Sequence, residues 1–471
     1  MFYIKVKNPI ICIVAILPFT LSAIAQDIAK AVDEKSKNEK TGLEIIEVTA
    51  QKRITSLQET PIAISAFSRS MLDDQNIEDA LDIQFAVPNA MLAGNGSFNI
   101  RGVGNTAVSA TADPGLGVHI NGVYLTANTI QNEFYDLESI EVLRGPQGTL
   151  FGRNTTAGVM NTITRKPDDI FEASLTTELS NYNGLRTSGF INIPINDKVL
   201  QRFAFNTVKR DGYTENVAEN VGFDTMDGRD QWSLRSSTTF EFSDKAKGFL
   251  FAQYFKENSD RSGVVGILCK ADPVLGCDNS ETLGNEFPNT SFTDGSLANG
   301  GLAGLLGALG YSTRPDFYNT NLDGSVRTNP SDPRKVRMDY QPVYNANDLL
   351  VSFEFNYEFN DYVFTSVSAY HDRESQAERD FDSGDGGDAM LTPQTLLLPH
   401  GRSELTTRHS TVRTDDAASK QWSQEFRIAS YQEGPFNFTA GAFYMDYDAE
   451  SLVEFFLGKA PVSRAPYHMS I

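Results

Sequence analysis

From Pro167 onward apolar and polar positions alternate, and the alternation recurs in nine segments near 171–180, 185–193, 199–209, 231–242, 248–256, 348–359, 362–371, 420–430 and 436–446. A period of two puts successive side chains on opposite faces of a strand. On 348–359, Leu349, Val351, Phe353, Phe355, Tyr357 and Phe359 share one face, while Asp348, Ser352, Glu354, Asn356 and Glu358 share the other. On 420–430, Trp422, Phe426 and Ile428, with Gln424, oppose Gln421, Ser423, Glu425 and Arg427. The pattern predicts antiparallel strands with one apolar face.

The links between these segments sort by length. After a first short link at 181–184, short ones (194–197, 243–247, 360–361, 431–435) alternate with long ones (210–230, 257–347, 372–419). Short turns at one rim and long loops at the other are the layout of an outer-membrane β-barrel, with the short turns periplasmic. A soluble sheet with one wet face alternates similarly, but it has no reason to sort its links. A charge facing lipid costs roughly 2–4 kcal/mol near the midplane, so the carboxylates are expected to face the lumen.

Upstream the period changes. Residues 51–166 read as a small mixed α/β unit: a strand over 60–67, a helix opening at 70–74 with Ser68 or Ser70 as N-cap, and a second short helix carrying Ile77, Ala80, Leu81 and Ile83 before Pro88. Glycine-rich strands follow. Residues 26–43 are polar and read as a flexible linker. The segment 44–50 is short and β-prone, either a free recognition segment or the first strand of the next unit. At the start, Lys5 and Lys7, the apolar run 10–17 and Ala23-Ile24-Ala25 make 1–25 a secretory signal peptide. The alternative, an uncleaved anchor, falls well short of the ~20 residues that spanning needs.

Composition adds limits. A net charge of −21, from 40 Lys plus Arg against 61 Asp plus Glu, disfavours nucleic acid as a partner. The mean hydropathy of −0.31 does not separate a soluble protein from a barrel, whose two strand faces average out. Cys12 lies in the leader, and Cys269 and Cys277 are expected to close a local disulfide in an oxidising compartment. The acidic loop 380–388 misses the spacing of a calcium-binding loop, because Gly384 occupies a ligand position and no Glu stands at the twelfth. No nucleophile–base constellation, metal site or cofactor site is legible, and catalysis is not indicated.

Three runs then carry a resemblance. They are Phe98-Asn99-Ile100-Arg101-Gly102-Val103-Gly104, Gly117-Val118-His119-Ile120-Asn121-Gly122-Val123-Tyr124, and the stretch 137–158 containing Leu143-Arg144-Gly145-Pro146-Gln147-Gly148-Thr149-Leu150-Phe151-Gly152-Arg153-Asn154. Together with 161–167 they closely resemble the plug of TonB-dependent outer-membrane receptors. The resemblance covers 44 to about 450. It implies a transmembrane β-barrel of about 22 strands, incomplete in this chain, with the mixed α/β plug at 51–166 in its lumen and the partial barrel over 167–471. It makes Ile46, Glu47, Val48, Thr49 and Ala50 look like the TonB box, which pairs as an added strand with the energy-coupling protein TonB and its inner-membrane, proton-driven motor.

The resemblance also implies a plug latch in which Arg101 and Arg144 meet glutamates of the barrel wall, with Glu425 the first candidate and Glu354 the second. The glycines Gly102, Gly104, Gly145, Gly148, Gly152 and Gly158 are expected to serve tight turns of the plug. The function so implied is active import of a small-molecule cargo, an iron complex such as a ferric siderophore being the default, by a protein embedded in outer-membrane lipid with its TonB box in the periplasm. The rival readings are a non-transporting adhesin or structural barrel, and an inert truncated product.

Overall fold

The computed structural model describes residues 2–6, 47–49, 52, 55–92, 98–104, 115–126, 134–219, 221–262, 270–272, 276–278, 287–288, 328–330, 332, 334–380, 393–406, 410–432, 436–457 and 460–470. In chain order the elements used below begin with β1 (Phe2–Val6), β2 (Glu47–Val48), β3 (Thr55–Ser56) and β4 (Ile64–Ser68). The helices α1 (Arg69–Gln75) and α2 (Ala80–Ala86) follow, then β5 (Ala90–Leu92), β6 (Phe98–Ile100), β7 (Val103–Gly104), β8 (Leu116–Ile120) and β9 (Val123–Leu125). The plug ends with β10 (Leu137–Arg144), α3 (Gly148–Phe151) and β11 (Gly158–Thr164).

Five of these strands form one sheet in the order β4-β10-β11-β8-β9, with β11 and β8 parallel and the other pairs antiparallel. The interior strand β10, between β4 and β11, carries Ile140, Val142 and Leu143, all fully buried. Leu72, Ile77 and Ile83, on and between the two helices, pack on the same core as Phe98, Ile100 and Ile140. Ser68 stands at the N-cap of α1 without a capping bond, its hydroxyl bonding that of Ser70 at 3.0 Å instead, and α1 stops at Asn76, whose φ of 56° is left-handed. Asp79 caps α2 by accepting from the Leu81 and Asp82 amides in a capping box, which fixes where the second helix starts.

The wall comprises β12 (Glu172–Ser180), β13 (Gly184–Asn196), β14 (Val199–Arg210), β15 (Arg229–Ser243), β16 (Ala246–Ser259), β17 (Val343–Phe359), β18 (Tyr362–Asp380), β19 (Thr411–Ser430), β20 (Thr439–Leu457) and β21 (Ala460–Ser470). They pair antiparallel with their chain neighbours, and β1 on β12 makes an eleven-stranded sheet. The nine alternating segments are all wall strands. Phe2–Val6 pairs along β12 from Leu179 to Leu175, as an open strand edge accepts a β-prone segment. The expected leader overlaps this strand, and the rest of it lies outside the described residues.

Three strands run well beyond the alternation predicted, β18 to Asp380, β19 from Thr411 and β20 to Leu457. The cause is a change of chemistry along the outward face. Tyr370 and Trp422 lie opposite each other and half exposed, and beyond them come Asp372 and Lys420 rather than further apolar side chains. On β20 Tyr444 gives way to Asp446 and Asp448 in the same way. The strand continues while its hydrophobic signature stops. The alternation missed β21 altogether, where Pro461 and Pro466 break the pattern on a strand at the edge of the sheet.

The lumen is not uniformly wet. Phe249 and Phe251 of β16, Leu350 of β17 and Ala369 of β18 point inward and pack on Val123 and Leu125 of the plug. Where Val123 and Leu125 touch the wall, the inward face is apolar.

Of the turn glycines, Gly102, Gly145, Gly152 and Gly158 have positive φ. At Gly158 a Cβ would lie 2.1 Å from the Leu143 carbonyl oxygen, so only glycine lets β11 approach β10 there. Gly104 is similarly confined by Asn99 Oδ1, 2.2 Å from such a Cβ. The expectation fails at Gly148, in α3, where an added Cβ would meet Thr155 Oγ1 at an ordinary 3.9 Å. Cys277 lies opposite Ala271 in a short hairpin. Cys269 lies outside the described residues, so the expected disulfide is not described, and neither is the acidic loop beyond Asp380.

Candidate functional site: the plug, its wall contacts and the docked segment before it

The chain enters β10 through Tyr135 and Asp136, the latter with φ of 47°. This turn aims the Asp136 carboxylate at the wall, where Arg202 of β14 meets it through Nε (2.8 Å) and Nη2 (2.5 Å). The guanidinium lies 3.8 Å from the centre of the Phe190 ring, and both charged side chains are almost fully buried, at 1 % and 3 % exposure. Arg235 of β15 donates Nη1 to the carbonyls of Tyr135 (3.0 Å) and Asp136 (3.2 Å), while Nε and Nη2 go to Gln253 of β16. The Tyr135 hydroxyl bonds to Ser233 Oγ at 2.7 Å. Burial pushes the Tyr135 phenol up, so it stays protonated. Alongside, Arg186 of β13 pairs with Glu78, whose carboxyl is raised by burial against the pull of that arginine.

On β17 and β19 the contacts are longer. Lys52 Nζ lies 3.5 Å from Glu425 Oε2 of β19, and Glu425 is also paired with Arg427 on its own strand. Burial lowers the Lys52 pKa, with Glu425 acting against it. Lys166, where the chain leaves the plug, lies 3.3 Å from Glu354 of β17, which also accepts from Asn356 Nδ2 at 2.7 Å. Both expected glutamates therefore face the plug, but their cationic partners are Lys52 and Lys166. Arg101 is exposed with φ of 55°, and Arg144 is half-buried with Nε lacking a hydrogen-bond partner among the described residues. Each arginine precedes a glycine of positive φ, and the Arg101 guanidinium lies beside the plug's own Gly145, 3.9 Å from where a Cβ there would stand.

Higher on β19, Gln421 accepts from the Thr126 amide (3.2 Å) and hydroxyl (2.8 Å) and donates Nε2 to the Tyr124 carbonyl (2.6 Å), holding the end of β9. Beside it in register, His371 of β18 lies 3.1 Å from Asp348, which also accepts from Arg373 at 2.9 Å. Asp136, Arg202, Arg235, Glu78 and Arg186 were not singled out from sequence. A signal was present, since Arg202 and Arg235 occupy the lumen-facing register of their strands.

Before the plug, Glu47–Val48 pairs antiparallel with Thr55–Ser56. Val48 is fully buried against Ala66, Leu143, Phe151 and Val159. The Thr49 amide donates to Glu141 Oε1 at 2.5 Å, its hydroxyl lies 3.2 and 3.1 Å from the two carboxylate oxygens, and its carbonyl accepts from the Lys52 amide at 2.8 Å. Burial raises the Glu141 carboxyl, and the Thr49 donors act against that rise. Ile46 and Ala50 lie outside the described residues. Of the two readings open for 44–50, residues 47–49 take the form of a docked strand.

The architecture is that of a plugged transmembrane β-barrel. The family model described as TonB-dependent Receptor Plug Domain matches residues 56–159. The pesticin receptor of Yersinia enterocolitica is 28 % identical over 160 residues, 33 % of this chain and 24 % of that protein. The iron-regulated outer membrane virulence protein of Vibrio cholerae is 28 % identical over 212 residues, 41 % of this chain and 30 % of that one. Among solved structures, the ferric yersiniabactin uptake receptor of Yersinia pestis superposes with a TM-score of 0.61 at 15 % identity, covering 87 % of this chain and 52 % of that one. The ferripyoverdine receptor of the Pseudomonas aeruginosa outer membrane gives 0.58 at 12 %, covering 92 % and 51 %. The chain thus carries a TonB-dependent receptor plug domain at 56–159, and it spans about half the length of these solved relatives.

Proposed function

We propose that the protein serves TonB-dependent active import of an iron complex, most simply a ferric siderophore, across the outer membrane. The supporting observation is a plug held against the barrel wall by reversible side-chain contacts, preceded by the docked segment 47–49. Such a plug closes the lumen at rest and is opened by a pull on that segment. On this reading 46–50 is the TonB box, lies in the periplasm and completes the edge of a TonB sheet by main-chain pairing. The similar receptors for ferric yersiniabactin and ferripyoverdine support an iron complex as cargo.

Lys52–Glu425 and Lys166–Glu354 are then the releasable part of the latch, because ion pairs reached by water are individually weak. The test is uptake of radio-iron presented as a panel of ferric siderophores by cells expressing the protein, with and without Val48→Pro. Proline removes a main-chain donor that strand pairing needs. Uptake abolished by Val48→Pro, with the amount of protein in the membrane unchanged, supports import. Surface binding without uptake in either form would instead favour an adhesin or structural barrel.

A further inference from the structure

We infer that Glu141 is an internal receptor for the segment 47–49 and holds it in a state that cannot pair with a partner strand; the inference rests on reading 46–50 as the TonB box. Glu141 sits mid-strand in β10, between Asn161 of β11 and Ala66 of β4, and is 0 % exposed. Its donors are the amide and hydroxyl of Thr49, whose hydroxyl also lies 3.4 Å from Asn161 Nδ2. Charge-assisted bonds of this kind are short and about twice as strong as neutral ones.

The inhibition follows from counting main-chain groups. Strand addition uses alternating N–H and C=O groups of the added segment. At Thr49 both are already taken, the N–H by Glu141 and the C=O by the Lys52 amide. Glu47 and Val48 are paired with Ser56 and Thr55, and the Val48 side chain fills a closed apolar site. Docked and partner-bound states therefore compete for the same atoms. A partner binds only the undocked fraction, and its apparent affinity is lowered by that fraction. Glu141 is a positioning residue, since it acts by holding Thr49.

The experiment uses the full chain in detergent micelles, with amide hydrogen exchange at 47–49 and titration with the purified periplasmic domain of TonB as two separate readouts. Glu141→Ala should raise exchange at the Thr49 amide by about ten- to a hundredfold, the range for losing a bond to a charged group, and tighten TonB binding by a similar factor. Thr49→Val, which removes only the hydroxyl, should move both readouts less and in the same direction. Glu138→Ala, at an exposed position of the same strand, should move neither. Unchanged exchange in Glu141→Ala, or a rise spread over the whole plug, would overturn the inference. Raised exchange confined to 47–49 with no TonB binding in any form would overturn the TonB-box reading and leave the docking contact standing.

Discussion

Arg202 grips Asp136 through two nitrogens while its guanidinium lies over Phe190, so in this contact the charges run opposite to expectation: the arginine belongs to the wall and the carboxylate to the plug. Removing one member of a buried pair strands the other, at a cost of about 3–5 kcal/mol. Arg202→Ala and Asp136→Asn should each lower the plug's unfolding free energy, measured in denaturant, by that order, and the double variant should cost much less than their sum. Arg202→Lys should not rescue, because an ammonium cannot reproduce the two-nitrogen grip. Additive losses would show that the residues do not act as a pair.

The Lys52–Glu425 contact should behave differently. At 3.5 Å, with side chains 11 % and 20 % exposed, it is partly reached by water. Lys52→Met should change plug stability by no more than about 1 kcal/mol, and the effect should shrink with added salt. Lys52→Glu should release the plug to protease more readily, and adding Glu425→Lys should restore protection. A loss in Lys52→Met as large as that in Arg202→Ala would refute the ranking of the two contacts.

His119 supplies the pH dependence. Burial, with Lys52 nearby, holds its pKa well below the usual imidazole value. Below about pH 6.5 the unfolded chain takes up a proton that the folded plug does not, so the stability present above that pH is lost as pH falls. The plug's melting temperature should therefore drop between pH 7 and pH 5. His119→Phe, which keeps a ring against Tyr124 and Phe151, should flatten that part of the profile. An unaltered slope would mean that other groups carry it.

Gly158 tests the closest approach in the plug sheet. Gly158→Ala places a methyl group against the Leu143 carbonyl at a φ of 154°, and should cost about 1–3 kcal/mol. Gly148→Ala should be nearly silent by the same denaturation assay, because α3 has room for it.

Strand placement in the wall was legible because lipid and lumen impose opposite demands on alternate residues, and 348–359 and 420–430 carry that demand in nearly every position. The ends of β18 and β19 were not legible, since residues such as Asp372 and Lys420 have left the apolar layer while remaining in the ladder. The glutamates Glu425 and Glu354 could be placed on the lumen face from register alone. Their partners could not, because Lys52 and Lys166 reach them through the path of the plug backbone, which no periodicity encodes. The docking of Thr49 on Glu141 joins positions 92 apart in sequence and was invisible for the same reason.

The outward row of Tyr370 and Trp422, succeeded by Asp372 and Lys420, acts as a waterline. Sinking the protein by one pair of residues along those strands would drag a carboxylate and an ammonium into oil, and raising it would lift two aromatic rings into water. Those penalties oppose each other, so the row sets how deep the molecule floats.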